Sequence, residues 1–176
     1  KKAMKGELDI MTPAMKVASD LMSIPSFEKA DESVLFAVEK EHIKKLKKTI
    51  LMTAGKAAQH FAMEIEKEQE VLMNLADMVI DVYSAESAIL RAEKLAIKNG
   101  EEKAKHQIVM SKLFLYSSIK NCQRCGEEVI LSFTEGDEQR MLLMGLKRFT
   151  KGYTINPKNL RRNIADKLIE ENKYCF

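Results

Sequence analysis

Residues Ile65–Arg91, IEKEQEVLMNLADMVIDVYSAESAILR, carry the strongest helix signal in this 176-residue chain. Apolar residues recur there at alternating spacings of four and three, which places them on one stripe of a 3.6-residue helix. This first stripe consists of Val71, Leu75, Met78, Val82, Ala85, Ile89, Ala92 and Ala96. A second stripe beside it consists of Leu72, Ala76, Val79, Tyr83 and Leu90. The apolar face is therefore wide, as expected of a helix that contacts two neighbours.

Composition favours one helical domain spanning residues 1–176. Seven glycines and three prolines are too few for the turns of a β fold. The net charge of +3 is too balanced to indicate nucleic-acid binding, so we expect no nucleic-acid partner. Three cysteines and the absence of a recognisable signal peptide or apolar span favour a reduced cytoplasmic setting.

Turn and cap residues divide the chain into three parts. Residues 1–32 are predicted as an entering helix up to Ile10, a short helix capped by Thr12 before Pro13, and a loop over 23–31. Residues 33–134 are predicted as three long helices, over 33–64, 65–98 and 101–133. Residues 135–176 are predicted as two shorter helices, over 138–149 and 157–172. Long helices joined by short turns predict an all-α, antiparallel up-down bundle. The small residues Gly55, Ala57 and Ala58 indicate a close helix–helix approach.

Two short motifs suggest metal or redox chemistry, and each has a structural alternative. Glu39-x-x-His42 matches one Glu-x-x-His unit of a di-iron bundle. Such a site needs a second unit and two further glutamates, but no second unit is present, and adjacent lysines would repel a metal ion. A solvent-exposed pair is therefore the favoured interpretation. Cys122-x-x-Cys125 lies in the middle of a predicted helix rather than at an N-terminus, which would lower a thiol pKa. Core-facing thiols are favoured over a redox or zinc site.

Two charged groups remain. Asp77, Asp81 and Ser84 form a polar row on the central helix, which either supplies an acid–base pair or, as we favour, an ion-pair seam with adjacent helices. The lysines between Lys40 and Lys48, with Lys1, Lys2 and Lys5, form either a solvated face or a contact with anionic lipid. The loop Ile24–Phe27 would add an apolar contact to such a membrane.

The central segment resembles the C-terminal extension of long- and very-long-chain acyl-CoA dehydrogenases. The matching residues are Leu75-Ala76-Asp77, Tyr83 and Glu86–Arg91, preceded by Ile65–Glu70. The tail Asn163–Ile169 is similar to bacterial members, and Lys1–Leu8 resembles the helix that leaves the flavin-binding bundle. The resemblance covers nearly the whole chain.

This resemblance implies a bundle similar in fold to the catalytic one but without its chemistry. In the family an α–β–α module binds FAD and the acyl chain, a glutamate removes the α-proton, and a Glu-Gly-Thr-Asn segment closes the module. None of these motifs occurs here, so no catalytic, cofactor-binding or metal residue is assigned to any position. FAD is expected only in the parent enzyme.

The sequence thus predicts the non-catalytic C-terminal domain of a bacterial acyl-CoA dehydrogenase of fatty-acid β-oxidation. Its expected partners are the catalytic domains of the same polypeptide, with a homodimer and peripheral contact with the inner membrane face as further expectations. The alternative is a free-standing helical interaction module with no enzymatic role. An upstream flavin domain in the same gene would favour the first interpretation over the second.

Overall fold

The computed structural model describes residues 9, 11–22, 31 and 33–176, and every regular element among them is helical. The helices are α1 (Met11–Met22), α2 (Ala37–Phe61), α3 (Gln69–Asn99), α4 (Lys105–Phe133), α5 (Gly136–Thr150) and α6 (Pro157–Glu171), with a 3₁₀ helix (Ala62–Lys67) between α2 and α3. The predicted all-α class is confirmed. The predicted loop Ile24–Phe27 lies outside the described residues. So does the predicted entering helix, except for Asp9.

The three long helices form the predicted antiparallel bundle. Two ion pairs join α2 to α3, Lys40 with Glu93 and Lys47 with Glu86, so residue numbers rise along one helix as they fall along the other. Hydrogen bonds between α3 and α4 show the same reversal. Helix α5 packs against both α2 and α4, α6 packs along α4, and α1 packs on α2.

The first stripe of α3 is the centre of the main core. All eight of its residues are buried, and all but Ala96 form one cluster with residues of α2 and α4 such as Leu46 and Leu115. The spacing of four and three therefore predicts the buried face correctly. The two expected neighbours of α3 are α2 and α4. The residues of the second stripe are exposed, so neither α2 nor α4 covers them.

Helix α2 begins later than predicted, at Ala37 rather than Ser33. Phe36 has a φ of 62°, in the left-handed region that a helix cannot contain, and its side chain is buried. Before it, the Asp31 carboxylate accepts hydrogen bonds from the Ser33 backbone N–H and hydroxyl, which favours a turn. The backbone conformation that accompanies burial of the Phe36 ring is therefore not helical, and α2 can begin only after Phe36.

The other predicted helix ends also need correction. The central helix begins at Gln69 instead of Ile65, because Ala62, with a φ of 46°, ends α2 and a 3₁₀ helix follows. Helix α4 begins at Lys105 instead of Glu101, because residues 101–104 form turns after Gly100, whose φ is 87°. Helix α5 begins at Gly136 and ends at Thr150, two residues before and one residue after the predicted bounds.

At the start of α1 the capping residue is Asp9 rather than Thr12. The Asp9 carboxylate accepts a 3.0 Å hydrogen bond from the backbone N–H of Thr12, which itself lies inside the helix. The predicted close approach at Gly55 is confirmed, since a Cβ atom added there would collide with the Cβ of Ala14 on α1. This contact adjoins a smaller core shared by α1, α2, α4 and α5.

Candidate functional site

Glu39 and His42, expected as a solvent-exposed pair, are both buried. Their exposed fractions are 6% and 4%, so the solvated interpretation is wrong. The pair lies in the first turns of α2, on the side that faces α4 and the loop between α5 and α6. The lysines adjacent in sequence point elsewhere, because a helix turns each neighbouring side chain by about 100°.

Two groups from distant parts of the chain contact Glu39. The hydroxyl of Tyr153, in the loop between α5 and α6, donates a 3.0 Å hydrogen bond to Glu39 Oε1. The Nζ atom of Lys112, on α4, lies 3.5 Å from the same oxygen. The His42 ring packs against the Tyr153 ring with centroids 5.1 Å apart. We call Glu39, His42, Lys112 and Tyr153 the Glu39 clasp, because together they join α2, α4 and that loop.

Burial governs the electrostatics of the clasp. Desolvation lowers the pKa of His42 to about 4, with Lys45 contributing in the same direction, so the imidazole is neutral near pH 7. Desolvation also raises the pKa of Tyr153, and the adjacent Glu39 carboxylate adds to this effect. The Nδ1 atom of His42 has no hydrogen-bond partner within the described part of the chain.

These contacts make the clasp a structural element rather than a site with free chemistry. The Glu39 carboxylate is held by Tyr153 and Lys112, and it borders a cleft of about 570 Å³ that Phe36 and Thr154 also line. Among residues 9, 11–22, 31 and 33–176, no three His, Cys, Asp or Glu side chains are grouped so as to hold a metal ion. The Tyr153 hydroxyl already donates its hydrogen to Glu39, so it is not free to donate to a ligand.

Neither Lys112 nor Tyr153 was identified from the sequence as a partner of Glu39, and Tyr153 was the harder of the two to find. It is separated from Glu39 by 114 positions, and it lies in a loop after Gly152 that shows no periodicity. The burial of a charged residue in the first turn of α2 was also not predicted, because Glu39 directly precedes the lysines between Lys40 and Lys48, which were expected to lie on a solvated or lipid-facing surface. The one sequence feature that could have indicated this contact was a tyrosine in the short loop before Pro157, and such a feature is weakly specific.

The two cysteines of α4 are core-facing, as favoured. Both Cys122 and Cys125 are fully buried and free. Burial raises the pKa of Cys122 to about 12 and also raises the pKa of Cys125, in the direction opposite to that of a reactive thiol. The Cys122 thiol points at the backbone carbonyl of Met78 on α3.

The predicted ion-pair seam exists, but other acidic residues form it. Glu86 and Glu93 meet Lys47 and Lys40 of α2 at 2.7 Å and 2.5 Å. Asp81 instead accepts a 2.6 Å hydrogen bond from the Asn121 side chain on α4, and Asp77 is exposed. The polar row thus contributes a contact with α4 through Asp81, while Glu86 and Glu93 form the seam with α2.

The lysine cluster is largely paired with acids of the same chain. Besides Lys40 and Lys47, Lys48 lies 2.7 Å from Asp20 of α1, and Lys44 lies 3.5 Å from Glu41. The Lys48 contact holds the pKa of Asp20 below its ordinary value. Lys1, Lys2 and Lys5 fall outside the described residues. Pairing lowers the positive charge that this face presents to an anionic membrane.

The outer face of α3 is an apolar surface that the described residues leave exposed. We define it as the second stripe together with Ile80 and Ile97, which lie within the same arc of the helix. Tyr83 is 70% exposed and Ile97 82%, and the remaining large members are also exposed. In the described structure the outer face therefore has no covering element, although its side chains are as apolar as those of a core.

Two further properties of the described helices concern membrane crossing and ligand pockets. None of these helices combines the length and the apolar character that a bilayer crossing requires. A pocket of about 460 Å³ lies between α3 and α4, where Arg91, Gln107 and Phe114 line it together with Tyr174 and Phe176 of the C-terminal tail.

The comparisons with known proteins agree with one another. A family model described as acyl-CoA dehydrogenase, C-terminal domain, matches residues 45–148. A protein of Bacillus subtilis (strain 168) named probable acyl-CoA dehydrogenase is 36% identical over 177 residues, which cover 99% of this chain and 29% of that protein.

A solved structure is similar over the same extent. It is the acyl-CoA dehydrogenase complexed with FAD from Bacillus anthracis, with 35% identity and a TM-score of 0.91. The match covers 99% of this chain and 30% of that one. The chain thus spans less than a third of the length of either relative.

Proposed function

Because the chain belongs to the acyl-CoA dehydrogenase C-terminal domain family, we propose that it serves as a non-catalytic domain that braces the catalytic body of such an enzyme. The observation that carries the proposal is the extent of the match. Nearly all of this chain is similar to less than a third of each relative, and the fold is retained at a TM-score of 0.91. The family resemblance found in the sequence is thereby confirmed.

The parent activity belongs to the same proposal. The parent would oxidise a fatty acyl-CoA of β-oxidation to its trans-2-enoyl-CoA and pass the electrons through FAD to a flavoprotein acceptor. The FAD in the Bacillus anthracis relative supports the flavin. We place the enzyme in the cytoplasm, as the odd number of cysteines in this chain favours.

The described residues of this chain do not fit a flavin site. Several buried or partly buried polar side chains that could meet a ligand contact one another instead, as Glu39 contacts Tyr153 and Asp81 contacts Asn121. They leave the described residues without an arranged set of donors for a pyrophosphate or a flavin ring. We therefore assign FAD to the remainder of the parent polypeptide and derive no catalytic step within this chain.

Deletion in the parent polypeptide tests the proposal. We expect removal of residues 1–176 to lower the melting temperature of the flavin-containing body or to change its oligomeric state, and the separate chain added in trans to restore part of the loss. The separate chain should be colourless and inactive on acyl-CoA. Stoichiometric flavin in it, or a truncated body with unchanged melting temperature and assembly, would contradict the proposal.

Peripheral membrane contact and a homodimer are further parts of the proposal with their own tests. The lysines of α2 would have to act despite their ion pairs, so co-sedimentation of the parent with anionic liposomes is expected only at low salt. Failure to co-sediment at low salt would remove the membrane contact. Sedimentation equilibrium of the parent reports whether a homodimer forms.

A further inference from the structure

The outer face of α3 is a mostly apolar strip along one side of the helix. From Leu72 to Ile97 the helix advances about 38 Å, at 1.5 Å per residue. Within that arc the strip is interrupted by Ser87 and Lys94. With a helix about 10 Å wide, the strip covers on the order of 400 Å², which matches the largest apolar patches of soluble monomers. Patches of that size commonly mark an interaction site.

The rest of the bundle does not account for this strip. The main core takes its α3 residues from the first stripe, because seven of the eight stripe residues already pack with α2 and α4. The ion pairs of Glu86 and Glu93 with α2 lie along one border of the strip, so α2 approaches it without covering it. On the other border and within the strip, Arg91, Lys94 and Lys98 are exposed near its C-terminal half.

The area of the strip discriminates between two occupants. Two copies packed through it would bury about 800 Å² in total, less than the roughly 1,200 Å² at which stable interfaces between separate proteins begin. An interface within one polypeptide has no such requirement, because the linker keeps the two surfaces at a high effective concentration. Contacts between domains of one chain start at about 600 Å².

The comparisons supply a covalently attached occupant of sufficient size. The matched region is 29% of one relative and 30% of the other, so roughly 70% of each lies outside it. We propose that the outer face of α3 is the surface that docks on the catalytic body of the same polypeptide, an inference that rests on the proposed function. The receiving surface is apolar, with acidic residues at the end that meets Arg91, Lys94 and Lys98.

A photo-crosslink from the centre of the strip tests this docking. In the full parent polypeptide, Tyr83 is replaced by p-benzoylphenylalanine, and Met144 of α5, which is also exposed, is replaced in a matched control. We expect irradiation of the Tyr83 variant to give a product with the mass of one chain on a denaturing gel. Mass spectrometry should place the second end of the crosslink in the catalytic region, and the Met144 variant should give at least tenfold less of that product.

Every other outcome overturns the docking. A product with the mass of two chains would assign the strip to a second copy, and equal yields from Tyr83 and Met144 would show that the strip is not specific. Absence of any crosslink from Tyr83 would show the strip to be uncovered. If deletion of the domain still destabilises the body in that case, bracing stands and its surface lies elsewhere. If deletion has no effect either, the proposed function fails as well.

Discussion

Polar side chains ordinarily lie on the surface and large apolar side chains in the interior, and the Glu39 clasp and the outer face of α3 depart from this rule in opposite directions. One places a carboxylate and an imidazole inside the fold, and the other places large apolar side chains outside it. The clasp finds its partners within the chain, at Lys112 and Tyr153. The outer face has none among the described residues. The difference separates a feature that completes the fold from one that we expect to be completed by another domain.

Between the clasp and the outer face, the largest effect on the stability of the separate chain should come from removing the buried carboxylate. Glu39→Ala leaves the Tyr153 hydroxyl and the Lys112 ammonium without their acceptor, so we expect a loss of about 3 kcal/mol in the free energy of unfolding. Urea denaturation measures it. The matched control is Glu41→Ala on the same helix, whose exposed contact with Lys44 should contribute well under about 1 kcal/mol. Equal losses in the two variants would mean that the clasp is not a special contact.

The next effect is a pH dependence from His42. Its folded pKa, about 4, lies below the ordinary 6.5, so the unfolded chain takes up this proton first as the pH falls. The stability that depends on a neutral His42 is present above pH 6.5 and is lost between pH 6.5 and 4. We expect a loss of about 2 kcal/mol by pH 5, relative to the change shown by His42→Gln. Parallel pH profiles for the two proteins would contradict this expectation.

A smaller effect is expected from the tyrosine hydroxyl of the clasp. Tyr153→Phe removes one charge-assisted hydrogen bond and retains the ring that packs on His42, so the loss should be about 1.5 kcal/mol. Tyr83→Phe on the outer face makes the same chemical change and should be neutral. If Tyr153→Phe is also neutral in thermal denaturation, the hydrogen bond to Glu39 is not formed in solution.

The smallest effect should come from the outer face itself. Val79→Ala is expected to change the stability of the separate chain by no more than about 0.5 kcal/mol, because Val79 is half exposed and contributes little to the core. The adjacent Met78 is fully buried, and Met78→Ala should cost about 2–5 kcal/mol in the same assay. A large loss from Val79→Ala would show that the outer face is packed within this chain.

How far the sequence predicts this molecule depends on how local each cause is. The first stripe of α3 followed from spacing alone, because a helix has a fixed period and the core needs one continuous face. The close approach at Gly55 likewise followed from residue size. The start of α2 did not follow, because the left-handed conformation of Phe36 accompanies burial of its ring, a tertiary effect.

The candidate sites show the same limit. The burial of Glu39 depends on Tyr153, which is distant in sequence and lies in a loop without a periodic pattern. The exposure of the outer face could not be predicted for a related reason, since periodicity identifies apolar faces but does not state how many of them a chain covers by itself. The seam between α2 and α3 was expected in kind, but its acids could be identified only once the rotation of α3 was known.

The buried thiols of Cys122 and Cys125 are internal probes of how often the helical bundle opens. A thiol-specific reagent reaches Cys175, which is half exposed, in the folded state. It reaches the two α4 thiols only in molecules whose bundle has opened, because burial raises the pKa of both and keeps the reagent out. The interval between the first label and the next two therefore measures how often the bundle opens. A docked catalytic body that holds α3 against α4 should lengthen that interval.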